Sequence, residues 1–210
     1  MSCKPEITDE IPANLNAVDL GLSVKWSSCN LGANRPEDSG SFYFWGETAS
    51  RPESDLFDWK TYKWGNGNEY YVTKYCAQDG SAYWVGRGTP DGKTTLDPED
   101  DAAHVKLGGK WRMPTYEEFI ELLKCTWEWT EMNRVVGFTV TGPSGNSIFL
   151  PGKLIQSSNP LIGNYWYMGY WTSSLSEAPG KAHVFEFKNG HHAFGAGERA
   201  SLYAIRPVTE

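Results

Sequence analysis

The chain has 210 residues, a formal net charge of −7 and an isoelectric point near 5.2. Nucleic-acid backbones and anionic membranes attract clustered basic residues, and the sequence has no such cluster, which argues against both as partners. It also lacks the apolar run of about 18 residues that a membrane span needs. The chain is rich in aromatic residues, glycine and proline, a composition that predicts many short strands joined by turns.

The start of the sequence is polar, and we predict a flexible N-terminal tether over residues 1–16, followed by a single domain over residues 17–210. Cys3 is typical of a bacterial lipoprotein from which the signal peptide has been removed. That interpretation places a lipid anchor at Cys3 and the protein at the cell surface. An intracellular or phage-encoded protein that starts here is the alternative, and the sequence does not separate the two.

The four cysteines, at positions 3, 29, 76 and 125, have no C-x-x-C spacing, so a zinc site is not expected. We predict free thiols. A disulfide among Cys29, Cys76 and Cys125 stays open at this point, because pairing depends on the distances between their Cα atoms. No cofactor is expected either.

Strands are predicted from alternating apolar and polar residues. Val18 to Trp26 reads as one half-buried strand, and an aromatic strand follows near Phe42, with Trp45 expected in the core. Residues 50–95 read as a long insertion with one short hairpin. This insertion either lines a surface beside the functional site or lies on the core, held there by its aromatic side chains.

Two helices are predicted between residues 96 and 125. Asp97 is expected to cap the first helix, which ends before Gly108, and Thr115 to cap the second through a capping box with Glu118. Arg112, in the connection, is expected to reach a carboxylate. The acidic run at positions 97, 99, 100 and 101 is interpreted as helix capping rather than a calcium site, since no glycine-punctuated loop follows it.

The last third of the chain reads as hairpins and a closing strand. Residues 136–140 and 147–150 predict one hairpin, and Asn189-Gly190 predicts a tight turn. Phe185 and Phe187 are expected to face the core, with His183, Glu186 and Lys188 on the other face. The final strand, near residues 203–208, is expected to lie beside the N-terminal strand.

The search for catalytic motifs finds little. No G-x-S-x-G elbow is present. Glu47, Asp58 and Glu186 are glycosidase candidates because such enzymes use a pair of carboxylates, but nothing in their spacing singles them out. His191 and His192 are adjacent, and neighbouring side chains of a strand point apart, so surface or partner contact is favoured over metal binding.

The strongest functional signal is a group of tyrosines near charged residues in the terminal third. Tyrosine offers a large contact area at small entropic cost, which suits a recognition surface. The predicted ligand-binding residues are Tyr165, Tyr167, Tyr170, His183, Glu186, Lys188 and His191.

Ordered motifs from Val18 to Val208 resemble the Fibrobacter succinogenes major paralogous domain family. They are VDLGLSVKWSSCNLGA, PEDSGSFYFWGE, DGKTTLDPEDDAAHVKLGGKWRMPT, GNSIFLPG, YWTSS and IRPV. That family is similar to the C-type lectin-like fold of formylglycine-generating enzymes, whose R-L-P-T-E-x-E-W signature resembles residues 112–115 followed by 117–119. The resemblance implies an α+β, C-type lectin-like fold with two main helices and many short antiparallel strands.

The same resemblance shapes the expected function. Formylglycine-generating enzymes act through cysteines near their C-terminal end, and this chain has none after Cys125, so that activity is not carried over. The calcium-dependent sugar motifs of animal C-type lectins are also missing, so any sugar binding should be calcium-independent. The segment from YWTSS to IRPV resembles the ligand-contact region of lectin-like variable proteins of diversity-generating retroelements.

We therefore expect a non-enzymatic recognition module, or adhesin, that binds a glycan or a protein on a bacterial surface or a phage particle. A carbohydrate-active or formylglycine-generating-like enzyme is the first alternative. A structural subunit of a surface or particle is the second.

Overall fold

A computed structural model describes residues 15–55, 57–65, 67, 72–76, 90–156, 158, 161, 163–178 and 180–210. Over these ranges the protein is α+β, mostly antiparallel sheet with two short α-helices. Cys3 and nearly all of the predicted tether lie outside the described residues. Asn16, predicted as its last residue, already hydrogen-bonds with Ser28 in both directions, at 3.1 and 2.8 Å.

The strands form three sheets. The first orders β1 (Ala17–Val18), β2 (Lys25–Ser27) and β10 (Val208–Thr209), so the chain's closing strand lies beside the N-terminal hairpin, as predicted. The second orders β3 (Thr126–Met132), β4 (Val135–Thr141) and β5 (Ser147–Pro151). The third, called the central sheet below, orders β6 (Lys153–Ile155), β7 (Tyr165–Leu175), β8 (Lys181–Lys188) and β9 (His191–Glu198).

The central sheet separates two hydrophobic clusters. On one side, Trp171 and Val184 join an aromatic cluster that includes Trp45 and Tyr43. On the other side, the side chains that alternate with them pack against the second helix and the second sheet. These are Met168, Tyr170, Phe185 and Phe187. The predicted core positions of Trp45, Phe185 and Phe187 are thereby confirmed.

Helix α2 (Tyr116–Leu122) has the predicted capping box. The Thr115 hydroxyl accepts from the Glu118 N–H at 3.3 Å, and the Glu118 carboxylate accepts from the Thr115 N–H at 2.8 Å. Arg112 also binds this carboxylate through two hydrogen bonds of 2.6 and 2.8 Å, which confirms its predicted partner type. One glutamate therefore holds both the helix start and the preceding connection.

The cap predicted for the first helix is wrong. Asp97 precedes a 3₁₀ turn at Pro98–Asp100 and makes no side-chain cap. Helix α1 (Ala102–Leu107) begins later, and Asp101 caps it by accepting from the His104 N–H at 2.9 Å. The second oxygen of Asp101 accepts from the Met113 N–H at 2.8 Å, an interaction with the inter-helix segment that local sequence does not reveal.

The strand predicted from Val18 to Trp26 is also wrong. It divides into β1 and β2, which pair with each other at Val18 and Trp26. Between them, Gly21 has a φ of +77° and donates its N–H to the Asp19 side chain at 2.8 Å. An aspartate turn with glycine at a left-handed position thus overrides the alternating pattern.

Within the insertion at residues 50–95, four of the described aromatic residues lie on the core. Trp59, Tyr62, Trp64 and Tyr75 are buried in the aromatic cluster, with edge-to-face ring contacts between 5.3 and 5.8 Å along the series. The buried guanidinium of Arg199 donates to the Tyr62 hydroxyl at 2.9 Å and so connects the insertion to the C-terminal segment. The hairpin was predicted without bounds inside this insertion, and residues 68–71 and 77–89 of the insertion are outside the described residues.

Among the described residues, Cys29, Cys76 and Cys125 form no disulfide with one another. Cys29 and Cys76 are buried and Cys125 is half-buried. The disulfide that the sequence left open among these three cysteines is therefore not formed.

Candidate ligand-binding face

Five of the predicted ligand-binding residues share one side of the central sheet. The register pairs Tyr167 with Lys188 and Lys188 with His191, and cross-strand partners point the same way. Two residues before Tyr167 and Lys188 lie Tyr165 and Glu186, which therefore point to the same side. Ala193, opposite Glu186, completes the group. We call this surface the open face: Tyr165, Tyr167, Glu186, Lys188, His191 and Ala193.

The open face is the part of this sheet side that the aromatic cluster leaves uncovered. Tyr203 forms its boundary, with its ring over Gly169 of β7 and an edge-to-face contact with Trp171 at 4.6 Å. Beyond this ring, Lys188, His191 and Ala193 are exposed, while Tyr167 and Glu186 are half-buried. This side of the sheet thus carries both half-buried and exposed side chains that a ligand can reach.

Glu186 is held on this surface by two side-chain hydrogen bonds. Its Oε1 accepts a hydrogen bond from the Tyr167 hydroxyl and another from the Tyr203 hydroxyl, the latter at 3.0 Å. Burial, reinforced by the neighbouring negative charge, raises the pKa of both tyrosines, so both hydroxyls keep their protons and act as donors. Two uncharged donors thus fix the position of the Glu186 carboxylate.

Lys188 leans away from Glu186. Its Nζ lies 4.1 Å from the centre of the Tyr165 ring, a cation–π contact along the diagonal between neighbouring strands. The acid and the base on the open face therefore each bind a tyrosine, and they do not pair with each other.

A cleft of about 440 Å³ lies beside the open face. Tyr167 belongs to both, because it lines the cleft and donates to Glu186. Lys153 and Glu53, which also line the cleft, form an ion pair with each other. The remaining wall combines Gln156 with residues that are mostly apolar: Phe42, Leu154, Ile155, Met168, Gly169 and Leu202. Its size and polarity suit a small organic group.

Two of the predicted ligand-binding residues lie elsewhere. Tyr170 is fully buried on the opposite side of the sheet, where its hydroxyl donates to the Pro151 carbonyl at 3.3 Å. It is a core residue, so the prediction of ligand contact is corrected. Met168, two residues away on β7, and Phe187 on β8 are buried on the same side of the sheet.

The prediction that His183 shares a face of its strand with Glu186 and Lys188 is wrong. His183 is two residues from Phe185 on the same strand, so it points to the helix side, where its ring stacks on Tyr116 at 4.2 Å. Burial there lowers the pKa of His183. His192 also points to that side and stacks on Trp127 at 4.8 Å, whereas its neighbour His191 lies on the open face, so the two histidines do point apart.

The other carboxylates considered in the sequence are committed to local interactions. Glu47 is buried and holds Arg51 through hydrogen bonds of 2.6 and 2.9 Å. Asp58 accepts from the Lys60 N–H and the Thr61 hydroxyl, at 2.8 and 2.9 Å. Neither lies among the residues of the open face.

The acidic run beside helix α1 forms a cluster, but lysines balance its charge. The carboxylates of Asp97, Glu99 and Asp100 have oxygen atoms within 4.8 Å of one another. Lys74 pairs with Asp97 at 2.8 Å and with Asp100 at 2.5 Å, and Lys63 pairs with Asp100 at 2.8 Å. Helix capping, which was predicted for the whole run, therefore explains Asp101 alone, and the other acids are held by ion pairs.

A second cavity, of about 390 Å³, lies by the connection between the two helices. Its polar groups bind one another: Asp101 accepts two backbone N–H groups, and Arg112 pairs with Glu118. The polar lining therefore serves the fold.

Sequence reasoning missed three features of the open face. Tyr203 supports Glu186 from about seventeen positions away in the chain, and no local pattern links the two. Gly169 leaves the space that the Tyr203 ring occupies. The extent and register of strand β9 were not predicted beyond its two histidines; the two-residue Asn189-Gly190 turn, with positive φ at both residues, fixes the register and places Ala193 opposite Glu186.

Comparison of the chain with protein-family models, curated proteins and solved structures finds no match. Among the described residues, no helix is both long and apolar enough to cross a bilayer.

Proposed function

We propose that this chain is a non-enzymatic recognition module of the C-type lectin-like type, whose open face binds a glycan or a protein without calcium. The observation that carries the proposal is the convergence of Tyr165, Tyr167, Glu186, Lys188 and His191 on one exposed side of the central sheet. These residues are separated in sequence by up to 26 positions, the difference between 191 and 165.

The chemistry of the face supports recognition. Tyrosine rings provide rigid contact area, and the carboxylate, ammonium and imidazole groups provide directional polar contacts around them. The carboxylate is already held in place by two hydroxyl groups, so little side-chain entropy is lost when a ligand binds it. Rigid strands, rather than loops, carry all of these groups.

The proposed setting is a cell surface, with a lipid anchor at Cys3, or a phage particle. A role as an adhesin, or as a variable protein of a diversity-generating retroelement, would use the same face for its ligand. The lectin-like fold type is supported by the ordered motifs and by the mostly antiparallel α+β architecture.

The test is an array of defined glycans and peptides probed with the labelled full chain, with and without a chelator. Ala193→Gln adds bulk to the open face directly opposite Glu186, where Ala193 is exposed. Ala196→Gln is the matched control, because Ala196 is an exposed alanine of the same strand that points to the opposite side.

We expect chelator-resistant binding that Ala193→Gln abolishes and Ala196→Gln leaves intact. Binding that is lost with the chelator would contradict the calcium-independent mechanism. Equal binding by both variants would show that the open face is not the recognition surface.

A further inference from the structure

The carboxylate of Glu186 is anchored by hydrogen bonds that bring no positive charge to it. Both hydrogen bonds to Oε1 come from neutral tyrosine hydroxyls. Within the described part of the chain, no ion pair joins Glu186 to a lysine, arginine or histidine. A half-buried carboxylate in this state attracts a cation more strongly than a fully hydrated one does.

The neighbouring basic side chains are already engaged by other groups. Lys188 lies over the Tyr165 ring, and Lys153 pairs with Glu53 and lies 5.2 Å from the centre of the Phe42 ring. Tyr167 lies opposite both lysines in the sheet, yet its hydroxyl turns to Glu186. The arrangement keeps the carboxylate separate from the cations on its own surface.

The second oxygen of Glu186 is next to small residues. An added Cβ at Gly195 would lie 3.6 Å from Oε2, so this oxygen leans over a glycine on β9. The residue directly opposite Glu186 is Ala193, which is exposed. No long side chain of β9 therefore stands between Oε2 and an incoming group at these two positions.

We infer that the open face recognises a basic side chain, the guanidinium or ammonium group of a peptide or protein partner, which docks on Oε2 of Glu186. This inference rests on the proposed function and names its ligand class. A cationic N–H donor forms a charge-assisted hydrogen bond with this oxygen, and the tyrosine rings around it favour a positive charge. The chain's net charge of −7 also favours the approach of a basic partner.

A peptide fits this chemistry better than a glycan does. Lysine and arginine carry their charge in every peptide, whereas most sugars are neutral and most amino sugars are N-acetylated. A neutral hydroxyl gains much less from an anionic acceptor than a cationic group gains.

The test uses two short peptides, acetyl-Gly-Arg-Gly-amide and its citrulline counterpart, titrated into the full chain and followed by amide chemical shifts in the NMR spectrum. Citrulline keeps the shape of arginine and removes the charge. We expect the arginine peptide to shift the amides of residues 186 and 193–195, and the citrulline peptide to bind at least about tenfold more weakly.

Two substitutions should change the affinity for the arginine peptide in opposite directions. Glu186→Gln retains an oxygen that can accept from Tyr167 and Tyr203, and it should weaken arginine binding about tenfold. Lys188 carries the same sign of charge as the basic ligand and lies two residues from Glu186, about 7 Å along the strand. Lys188→Gln removes this repulsion and should strengthen binding of the arginine peptide about threefold. Ala196→Gln should leave the affinity unchanged. Unfolding temperatures of the variants confirm that each one is folded.

The inference is overturned if the arginine peptide causes no shift, if citrulline binds equally well, or if Glu186→Gln binds arginine as tightly as the original chain does. Its failure is distinct from failure of the proposed function. A glycan or neutral peptide whose binding is lost in Ala193→Gln but unaffected by Glu186→Gln would sustain recognition by the open face and eliminate the basic ligand.

Discussion

The contact between Gly169 and Tyr203 provides the sharpest test of how the open face is built. A Cβ added at Gly169 would lie 2.1 Å from Cδ1 and 2.4 Å from Cε1 of the Tyr203 ring. Ordinary contacts between carbon atoms are about 3.5–4.0 Å, so in Gly169→Ala the ring must move by more than about 1 Å. Trp171 and Gly197 contact the ring on its other sides and limit that movement.

We expect Gly169→Ala to lower the free energy of unfolding by about 2–4 kcal/mol. Overpacking in a core costs about 1–3 kcal/mol, and the displaced Tyr203 hydroxyl loses part of its hydrogen bond to the Glu186 carboxylate. For a chain of this size, each kcal/mol corresponds to about 2–4 °C in the midpoint temperature. Ligand affinity should fall as well, since Tyr203 no longer holds Glu186 in place.

Gly195→Ala, on β9 of the same sheet, is the matched control. Its Cβ would meet nothing closer than 3.6 Å, an ordinary contact, and the backbone there has no left-handed φ. Alanine in a strand interior is favoured over glycine by roughly 0.5–1 kcal/mol, so this variant should be as stable as the original chain or slightly more stable.

Urea denaturation of four proteins tests the reasoning: the original chain, Gly169→Ala, Tyr203→Ala and the double variant. Once the ring is removed, Gly169→Ala should cost nothing or should stabilise, which gives a large coupling energy between the two sites. If Gly169→Ala costs the same with and without the Tyr203 ring, steric contact with that ring is not the cause, and the account of this boundary is refuted.

Two further predictions concern the helical region. Thr115→Ala removes the hydroxyl that accepts from Glu118 and should destabilise the chain by about 1 kcal/mol in urea denaturation, while Thr115→Ser should restore most of that loss. Lys74 and Lys93 lower the pKa of Asp97 from 3.8 to about 2. Its ionised form therefore stabilises the fold above about pH 4, a contribution that is lost as the pH falls towards 2; the fall in unfolding temperature over this range should be shallower in Asp97→Asn.

The sequence predicts those elements whose signals lie within a few residues. The capping box of Thr115 and Glu118, the hairpin of β4 and β5 and the turn at Asn189-Gly190 are all present as predicted. Each depends on hydrogen bonds and backbone conformations inside one short segment. The failures, at Asp97 and in the strand from Val18 to Trp26, occur where a neighbouring aspartate offers a competing local hydrogen bond.

For the candidate site, too, most of the local pattern was predicted correctly and the long-range packing was not. Alternation along the strands correctly places Tyr165 with Tyr167, and Glu186 with Lys188, because side chains two residues apart on a strand share a side whatever packs on it. Alternation does not say which side stays exposed. Tyr170 and His183 lie on the side that helix α2 covers, and this covering is a long-range contact between segments that are distant in the chain.

The amino-acid sequence by itself determined the α+β composition, the local turns and caps, and the richness in tyrosine and charge from which a recognition surface could be proposed. Only the tertiary structure decided which of those tyrosines are accessible, and only it brought the Tyr203 hydroxyl to Glu186. The physical reason is that the accessibility of a strand residue depends on the element packed over it. For this sheet, the aromatic cluster ends at the Tyr203 ring, and the open face begins there.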